Sequence, residues 1–314
     1  MCVSGQILRA VDALFASLWP AGRVVEIPAG GIFTLRVILS GLLLALSFIA
    51  VPAPVEAGEG GSAPQEEIDP DVLRKVKKLI RGTLSEDNAE REKAWSEIKN
   101  MGNLVVPGLI GLYRQADTTP DMMRSILIAL GDSKDPRAGP ALAEMLTSKD
   151  PSVRRDAARA MGDSGYKAGI KALETVAADA KEADDVRLFA AVAAAKLESE
   201  TILATLAELL KNPKAEIRSR AVFALGKYGG VKQAPAIEKA LEDSDKSVRE
   251  DAVEALRLLK TKEAWGPLVK AAADSDYRVR NAAMDALREL TGKSFEKTDA
   301  WQEWWKGEQV KSEK

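Results

Sequence analysis

Five arginines recur at a nearly constant spacing and are the side chains best placed for chemistry. They are Arg154, Arg187, Arg218, Arg249 and Arg280, and only the first step, from Arg154 to Arg187, is two residues longer than the others. A regular row of guanidinium groups could bind phosphates. Each arginine, however, lies near the start of a predicted helix, and in three cases an aspartate stands four residues before it. We therefore interpret the row as structural, with arginine–aspartate pairs within or between repeats that fix the stacking, each worth about 0.2–1 kcal/mol if exposed.

Three acidic pairs could hold a cation or act as general acid and base. They are Asp184–Asp185, Asp243 with Asp245, and Asp274 with Asp276. Each pair falls at a predicted helix start, where carboxylates accept backbone N–H groups and suit the helix dipole. None has the glycine and the terminal glutamate of an EF-hand loop. We interpret these aspartates as helix caps.

The composition removes most other catalytic and metal chemistry. The chain has no histidine, and its single cysteine is Cys2, ahead of the predicted export segment. Histidine bases, histidine-activated nucleophiles and Cys/His metal sites are therefore excluded. Gly292-Lys293-Ser294 resembles the end of a phosphate-binding loop, but Leu287 stands where the first glycine is needed. We predict no catalytic, cofactor-binding or metal-binding residue and no enzymatic activity.

The arginines belong to a repeated amphipathic helix. Alanine follows each arginine at three and six residues, as Ala252 and Ala255 follow Arg249, and Leu or Met usually follows at seven. Alanines at this spacing share one helix face and allow a neighbouring helix to approach closely. Two weaker copies lie upstream, at Met123 and Arg91. The sequence thus predicts seven first helices.

A second helix is predicted after each first helix except the last. The predicted second helices lie near 105–115, 140–148, 167–178, 200–211, 232–242 and 263–273. Asp150–Pro151 is a helix start signal, and Thr119–Pro120 and Asn212–Pro213 are variants of it. No segment shows sustained alternation of apolar and polar residues, so no sheet is predicted.

The runs of Asp-x-x-Val-Arg-x-x-Ala-x-x-Ala-Leu resemble HEAT repeats, most closely the short bacterial subtype named after phycobilisome lyases. The resemblance covers roughly Asp71 to Lys306. It implies an all-α, right-handed solenoid of about seven helix pairs, whose second helices line the concave face and bind other proteins. Deoxyhypusine hydroxylase is a HEAT-like enzyme that holds iron with His-Glu motifs, and its activity does not carry over to a chain without histidine.

The first predicted helix of the repeat region, Asp71–Arg81, has one apolar and one basic face. Leu73, Val76 and Ile80 form the apolar face, and five lysines and arginines cover the other. We interpret it as a terminal helix that covers the end of the stack. The alternative is a basic surface that faces anionic lipid.

Three tryptophans share one face of the last predicted helix. Trp301, Trp304 and Trp305 are spaced i, i+3 and i+4. We interpret them as a cap on the last repeat, because burying one aromatic ring is worth about 1.5–3 kcal/mol. An aromatic platform for a ligand or carbohydrate is the alternative.

The N-terminal region carries the features of an export signal. Arg36 precedes the apolar run Val37–Val51, and small residues follow at Val55 and Ala57. A cleaved signal peptide is the first interpretation and a retained single-span anchor is the second. Because more than thirty residues precede Arg36, we expect the true start nearer Leu35.

These observations predict four regions and a role. Residues 1–57 are a signal peptide or anchor with an atypical extension, 58–70 a flexible linker, 71–306 the repeat solenoid and 307–314 a polar tail. A net charge of −2 argues against general nucleic-acid binding. The resemblance implies a non-catalytic scaffold that binds a protein partner on its concave face. The export signal places it in the periplasm or outside the cell, with membrane contact through residues 37–51 if they are retained.

Two alternative functions stay open. One is a phycobilin-lyase-like or chaperone-like subunit that handles a small ligand in the concave groove. The other is a membrane-surface module that uses the basic residues Arg74–Arg81.

Overall fold

The structure, a computed structural model, describes residues 68–312, and this part of the chain contains helices and no β-strand. In chain order the helices are α1 Pro70–Gly82, α2 Asn88–Met101, α3 Val105–Tyr113, α4 Pro120–Ser133, α5 Ala138–Met145, α6 Pro151–Ser164, α7 Ile170–Ala178, α8 Asp184–Lys196, α9 Ile202–Leu209, α10 Ala215–Tyr228, α11 Ala234–Ala240, α12 Lys246–Leu259, α13 Trp265–Ala271, α14 Tyr277–Thr291 and α15 Thr298–Ser312. The predicted first helices are the even-numbered α2 to α14, and the predicted second helices are the odd-numbered α3 to α13. The prediction of an all-α solenoid of helix pairs is confirmed.

Several predictions fall partly or wholly outside the described residues. The export segment 1–57 and nearly all of the linker 58–70 lie there. Helix α15 continues to Ser312, so it includes most of the residues predicted as a polar tail. Among residues 68–312, no helix combines the length and the apolar character that crossing a membrane requires.

The alanines of the repeat form the interior between neighbouring first helices. The two alanines of each of the five strong copies are all buried: Ala157, Ala160, Ala190, Ala193, Ala221, Ala224, Ala252, Ala255, Ala283 and Ala286. They join the leucines, isoleucines and valines of both helix layers in one continuous core. Since each helix buries its apolar face against the next repeat, the units stabilise one another along the chain.

Glycines bring some first helices into backbone contact, a feature that the alanine pattern alone did not predict. A Cβ built at Gly226 of α10 would lie 2.4 Å from Cα and 2.7 Å from the carbonyl oxygen of Ala255 in α12. Gly162 of α6 stands at the same repeat position, and its Cβ would lie 2.9 Å from Cα of Ala193. No side chain fits at these positions without moving the helices apart.

The helix starts follow the predicted caps in most repeats. The carboxylates of Asp150, Asp245 and Asp276 each accept the backbone N–H two residues on, and the hydroxyl of Thr119 accepts that of Met122. Each of these contacts satisfies one N–H group that the first turn of a helix leaves unpaired.

The prediction of a helix start at Asn212–Pro213 is wrong by two residues. Helix α10 begins at Ala215, and the amide oxygen of Asn212 accepts the N–H of Lys214 at 2.9 Å. Asn212 therefore forms a turn before the helix rather than the cap. The local pattern misled because an Asx turn and an N-cap favour the same residue types.

The two terminal helices cover the ends of the described stack. Val76, Leu79 and Ile80 of α1 are buried, and Val76 lies against Gly108 of α3. The predicted apolar face of α1 is thus confirmed as a packing surface. Of its basic residues, Lys77 pairs with Asp117 at 2.7 Å.

Candidate functional site

Three of the five repeated arginines fasten one repeat to the next through paired hydrogen bonds. Arg218 donates from Nε and Nη2 to the two carboxylate oxygens of Asp243, both at 2.7 Å. Arg249 does the same with Asp274, at 2.8 and 3.0 Å, and Arg154 with Glu182, at 2.5 and 2.7 Å. A planar guanidinium matches a carboxylate in this two-point geometry, which a lysine could not reproduce.

The same arginines also tie down the turn that precedes their own helix. Nη1 of Arg218 donates to the carbonyl oxygens of Asn212 and Pro213, at 2.8 and 3.0 Å. Arg91, Arg154, Arg249 and Arg280 make the equivalent pair of contacts, five and six residues back. One side chain thereby joins two consecutive interhelical turns.

This geometry supports the structural interpretation of the arginine row and shows that the pairs join neighbouring repeats. The aspartate four residues before the arginine caps the helix, whereas the ion-pair partners of Arg218 and Arg249 are Asp243 and Asp274, each in the turn that precedes the next first helix. Both side chains of the Arg218–Asp243 pair are only 13% exposed. Hydrogen bonds from Arg218 hold the pKa of Asp243 below its usual value. These guanidinium groups are therefore already occupied and do not form a row of phosphate sites.

The acidic pairs divide into caps and ion-pair partners. Asp245 and Asp276 cap their helices as predicted, but Asp243 and Asp274 begin the preceding turns and accept the arginines. Within residues 68–312, no group of three or more acidic or cysteine side chains is arranged to hold a metal ion.

The expected caps at Asp184 and Asp185 are wrong in detail. The cap residue of α8 is Ala183, which offers no side-chain oxygen, and Asp184 and Asp185 lie in the first helical turn. They pair there with Lys214 at 3.1 Å and Arg155 at 3.4 Å. Like the other strong copies, α8 begins three residues before its arginine, and the two aspartates stand one and two positions later than the capping aspartates Asp150, Asp245 and Asp276.

The three tryptophans of α15 pack on the last repeat. Trp301 is fully buried, lies edge-on to Phe295 at 4.9 Å between ring centroids, and donates its indole N–H to the Phe295 carbonyl. The ring centroids of Trp304 and of Trp265 in α13 are 5.5 Å apart. The Trp305 ring packs on Gly266, where an added Cβ would lie 3.1 Å from the ring. The geometry supports the predicted cap, since each ring is used for packing.

Clefts on the exposed side of the first helices join in a row from α4 to α14. We call this row the first-helix groove. Its residues are Arg124, Ile128, Arg155, Asp156, Arg159, Asp185, Leu188, Phe189, Val192, Lys214, Glu216, Ile217, Arg220, Phe223, Ala224, Tyr228, Glu250, Asp251, Val253, Glu254, Arg257, Ala282, Asp285, Ala286 and Glu289. Neighbouring clefts share lining residues, so the groove is continuous along the described repeats.

The centre of the groove is an aromatic cleft of about 250 Å³ between α8, α10 and α12. Phe189, Phe223 and Tyr228 are half-buried there, so part of each ring faces solvent. The guanidinium of Arg220 lies over the Phe189 ring at 5.6 Å, and Lys227 lies over Phe223 at 5.8 Å. A half-buried aromatic cluster with cations at its rim has the composition of a protein–protein contact site.

Asp251 stands where the aromatic cleft meets the next cleft along. Its carboxylate accepts a hydrogen bond from the hydroxyl of Ser219. Burial raises the pKa of Asp251 above its ordinary value, with a smaller contribution from the nearby charge of Glu254. The raised pKa marks a carboxylate that its surroundings do not fully compensate.

Comparison with known proteins decides the family. A profile of HEAT repeats matches residues 106–187, 177–257 and 234–300, which is well over half of the chain. The chain is a HEAT-repeat protein. No curated protein sequence matches it.

Three solved structures are similar to this HEAT-repeat protein. A Kap95p–RanGDP structure is similar with a TM-score of 0.52 and 12% identity, over 68% of this HEAT-repeat protein and 32% of that chain. Human deoxyhypusine hydroxylase has a TM-score of 0.34 and 17% identity, over 71% and 98% of the two chains. The CpcE–CpcF phycocyanin lyase complex from Nostoc has a TM-score of 0.41 and 18% identity, over 76% and 98%. At 12% identity, the likeness to the Kap95p–RanGDP structure concerns the fold alone.

The second helices of this HEAT-repeat protein, where the partner was expected, offer a different surface. A cleft of about 490 Å³ between α7 and α9 is lined by lysine, threonine and acidic side chains together with Ala178 and Ile202. Glu174 in this cleft accepts hydrogen bonds from the hydroxyls of Ser199 and Thr201. Its polar groups are thus partly paired with one another, and it contains no aromatic residue.

The residues of the first-helix groove differ from repeat to repeat, so the repeat pattern of the sequence did not predict the groove. Two residues after the repeated arginine stand Asp156, Phe189, Arg220, Asp251 and Ala282. A search for periodicity discards positions of this kind. A signal was nevertheless present in the sequence, because Phe189 is aromatic at a helix position that is charged in the neighbouring repeats.

Proposed function

We propose that this HEAT-repeat protein is a non-catalytic scaffold or adaptor that binds a protein partner in the first-helix groove. The observation that carries the proposal is the half-buried aromatic cleft of Phe189, Phe223 and Tyr228, set within a continuous charged groove. Aromatic side chains at the centre of a surface, with charged groups around them, are typical of binding hot spots. The proposal moves the partner from the second helices to the first, because the joined clefts and the aromatic residues lie there.

We also propose that the protein works outside the cytoplasm. The support is in the sequence: Arg36, the apolar run Val37–Val51 and the small residues Val55 and Ala57. The chain after Ala57 contains no cysteine, so its folding would not depend on the redox state of the compartment that receives it.

The ligand-handling alternative is favoured by one observation, the apolar character of the central cleft. That cleft measures about 250 Å³. Pockets for drug-sized ligands and cofactors usually measure about 300–1,000 Å³ and enclose most of the ligand. A cleft of this size suits one or two side chains of a partner better than a whole pigment.

The membrane-surface alternative depends on α1 and has less support. Its apolar residues Val76, Leu79 and Ile80 are buried in the stack. An interfacial helix instead inserts its apolar face between lipids. Only its cations remain for lipid, and Lys77 is already paired with Asp117.

Site-specific photocrosslinking in cells tests whether the protein binds a partner and which helices carry the binding surface. A photoreactive amino acid is placed at Phe223 in the groove or at Lys239, an exposed residue of second helix α11, in the full chain. We expect a discrete protein adduct from position 223 and none from position 239. Adducts from position 239 alone would return the partner to the second helices. No adduct from either, together with a co-purifying pigment, would favour the ligand-handling function.

A further inference from the structure

The charge of the first-helix groove changes sign along its length. The cleft from α4 to α10 is lined by five cations and three carboxylates: Arg124, Arg155, Arg159, Lys214 and Arg220, with Asp156, Asp185 and Glu216. The cleft between α12 and α14 is lined by five carboxylates and one cation: Glu250, Asp251, Glu254, Asp285 and Glu289, with Arg257. The aromatic cleft lies between these two regions. The groove therefore has a basic end, an apolar centre and an acidic end.

Two residues connect the charged ends directly to the aromatic cleft. Arg220 lines both the basic and the aromatic cleft, and its guanidinium lies over Phe189. Asp251 lines both the aromatic and the acidic cleft. A side chain bound in the aromatic cleft is thus flanked by a cation on one side and a carboxylate on the other.

The internal ion pairs leave this polarity in place. At the basic end, Asp156 is buried between Arg124 and Arg155, and Arg159 is exposed. Arg155, Lys214 and Arg220 also pair with Asp185, Asp184 and Glu216, so Arg159 carries most of the charge that is left at this end. At the acidic end, Arg257 pairs with Glu254 and Glu289, and Arg288 pairs with Asp285. Both ends therefore keep charge that a partner of opposite sign can meet.

Resting on the proposed function, we infer that the groove binds an extended partner segment with three blocks in order: acidic residues, an apolar anchor and basic residues. The anchor, an aromatic or large aliphatic side chain, fills the cleft of Phe189, Phe223 and Tyr228. An acidic residue beside the anchor meets Arg220, and a basic residue on its other side meets Asp251. The matching order of charges sets the register of the segment on the repeats.

The spacing of the repeats sets the length of this segment. Packed helices lie about 8–10 Å apart, so the four steps from α6 to α14 span about 32–40 Å. An extended chain advances about 3.3 Å per residue, which gives a segment of about 10–12 residues. Such a segment contacts five consecutive first helices at once.

A peptide-binding measurement on the full-length protein tests the inference. The probe is a fluorescent twelve-residue peptide with four acidic residues, a Leu-Trp-Leu anchor and a basic block. The matched control peptide has the same composition with its charges alternating. Fluorescence anisotropy should show the block peptide binding at least tenfold more tightly at low salt, with the difference shrinking as salt screens the charges.

Protein variants then assign the two parts of the site. Phe223→Ser should weaken the block peptide about tenfold, because it removes the wall of the anchor cleft. Arg159→Glu should weaken it about threefold, and among peptides in which one acidic residue at a time is replaced by lysine, the one whose lysine faces position 159 should recover binding to that variant. Lys239→Glu on α11 is the control and should change nothing. Circular dichroism of each variant verifies that it is folded.

The outcomes separate the inference from the proposed function. Equal binding of block and alternating peptides, or no charge rescue with Arg159→Glu, would overturn the three-block segment. If the block peptide fails but position 223 still crosslinks a protein in cells, the inference falls and the scaffold function stands. If peptide binding and crosslinking both fail, the groove is not a protein-binding site.

Discussion

Replacing Arg218 with alanine should weaken the solenoid far more than replacing Arg220, two residues away on the same helix. Arg218 makes four hydrogen bonds: two to Asp243 in the next repeat and two to the turn before its own helix. The pair is only 13% exposed on each side. Removing one partner of a largely buried pair leaves the other charge uncompensated, so we expect a loss of about 2–4 kcal/mol.

Arg220 provides the matched control. It pairs with Glu216 at 3.0 Å, one turn back on the same helix, and the two side chains are 51% and 76% exposed. An exposed pair of this kind contributes about 0.3–0.5 kcal/mol, and the contact of Arg220 with the Phe189 ring adds about 0.5–1 kcal/mol. Arg220 pairs within its own helix, whereas Arg218 joins its helix to the next repeat.

Urea unfolding followed by circular dichroism gives the free energies, and a double-mutant cycle isolates the pair. Arg218→Ala, Asp243→Ala and the double variant should yield a coupling energy of about 1–2 kcal/mol. In the single variants, unfolding should occur in two transitions instead of one, because the ion pair that couples the repeats of α10 and α12 is lost. A coupling energy near zero, or an Arg218→Ala loss no larger than that of Arg220→Ala, would refute the role of the arginine row.

Three further predictions concern packing and pH. Gly226→Ala should destabilise the fold by about 1–3 kcal/mol, because the new Cβ would lie 2.4 Å from Ala255 Cα. Gly307→Ala is the control: a Cβ at this exposed helical glycine meets nothing within 4 Å and should stabilise the fold by about 0.5–1 kcal/mol. Equal Tm values for the two variants would contradict the prediction. Trp301→Ala should cost about 3–5 kcal/mol and melt α15 first by hydrogen exchange, since the ring is fully buried. Asp251→Asn should raise the Tm at pH 7 but not near pH 3, because a carboxylate with a raised pKa loses folding stability as pH rises through that pKa; an unchanged Tm at pH 7 would count against it.

The sequence predicted the repeat units well because their signals are local and repeated. Asp150, Asp245 and Asp276 cap helices where the pattern placed them, and the alanines after each arginine are buried. Caps depend on residues within one turn, and burial depends on a helical face, so both can be read from spacing. The number and order of first helices followed directly.

The partner of the arginines could not be predicted in the same way. The spacing left open whether each arginine pairs within its own repeat or with the next one, and in the structure Arg249 pairs with Asp274 in the turn before α14. That contact exists only once two repeats are stacked, and its register depends on how the second helix and the following turn return the chain. The exception at Arg187 shows the same dependence: Asn212 occupies the position of the accepting aspartate, and the arginine donates to the carbonyl of Ala177 instead.

The first-helix groove could not be predicted from the sequence either. Phe189 lies two residues after its repeat arginine and Phe223 five residues after its own. Only the stacking of α8 on α10 brings these two different positions into one cleft. The predicted location of the partner on the second helices came from the family resemblance, which describes HEAT proteins in general and not the exposed residues of this chain.

The most direct test of the account is whether the partner's contact lies on the first helices. In cells, photocrosslinking from position 223 in the aromatic cleft is compared with crosslinking from position 239 on α11. We predict a protein adduct from position 223 whose yield falls when Arg159→Glu is added, and no adduct from position 239. A protein adduct from position 239 that survives Arg159→Glu, with none from position 223, would contradict it.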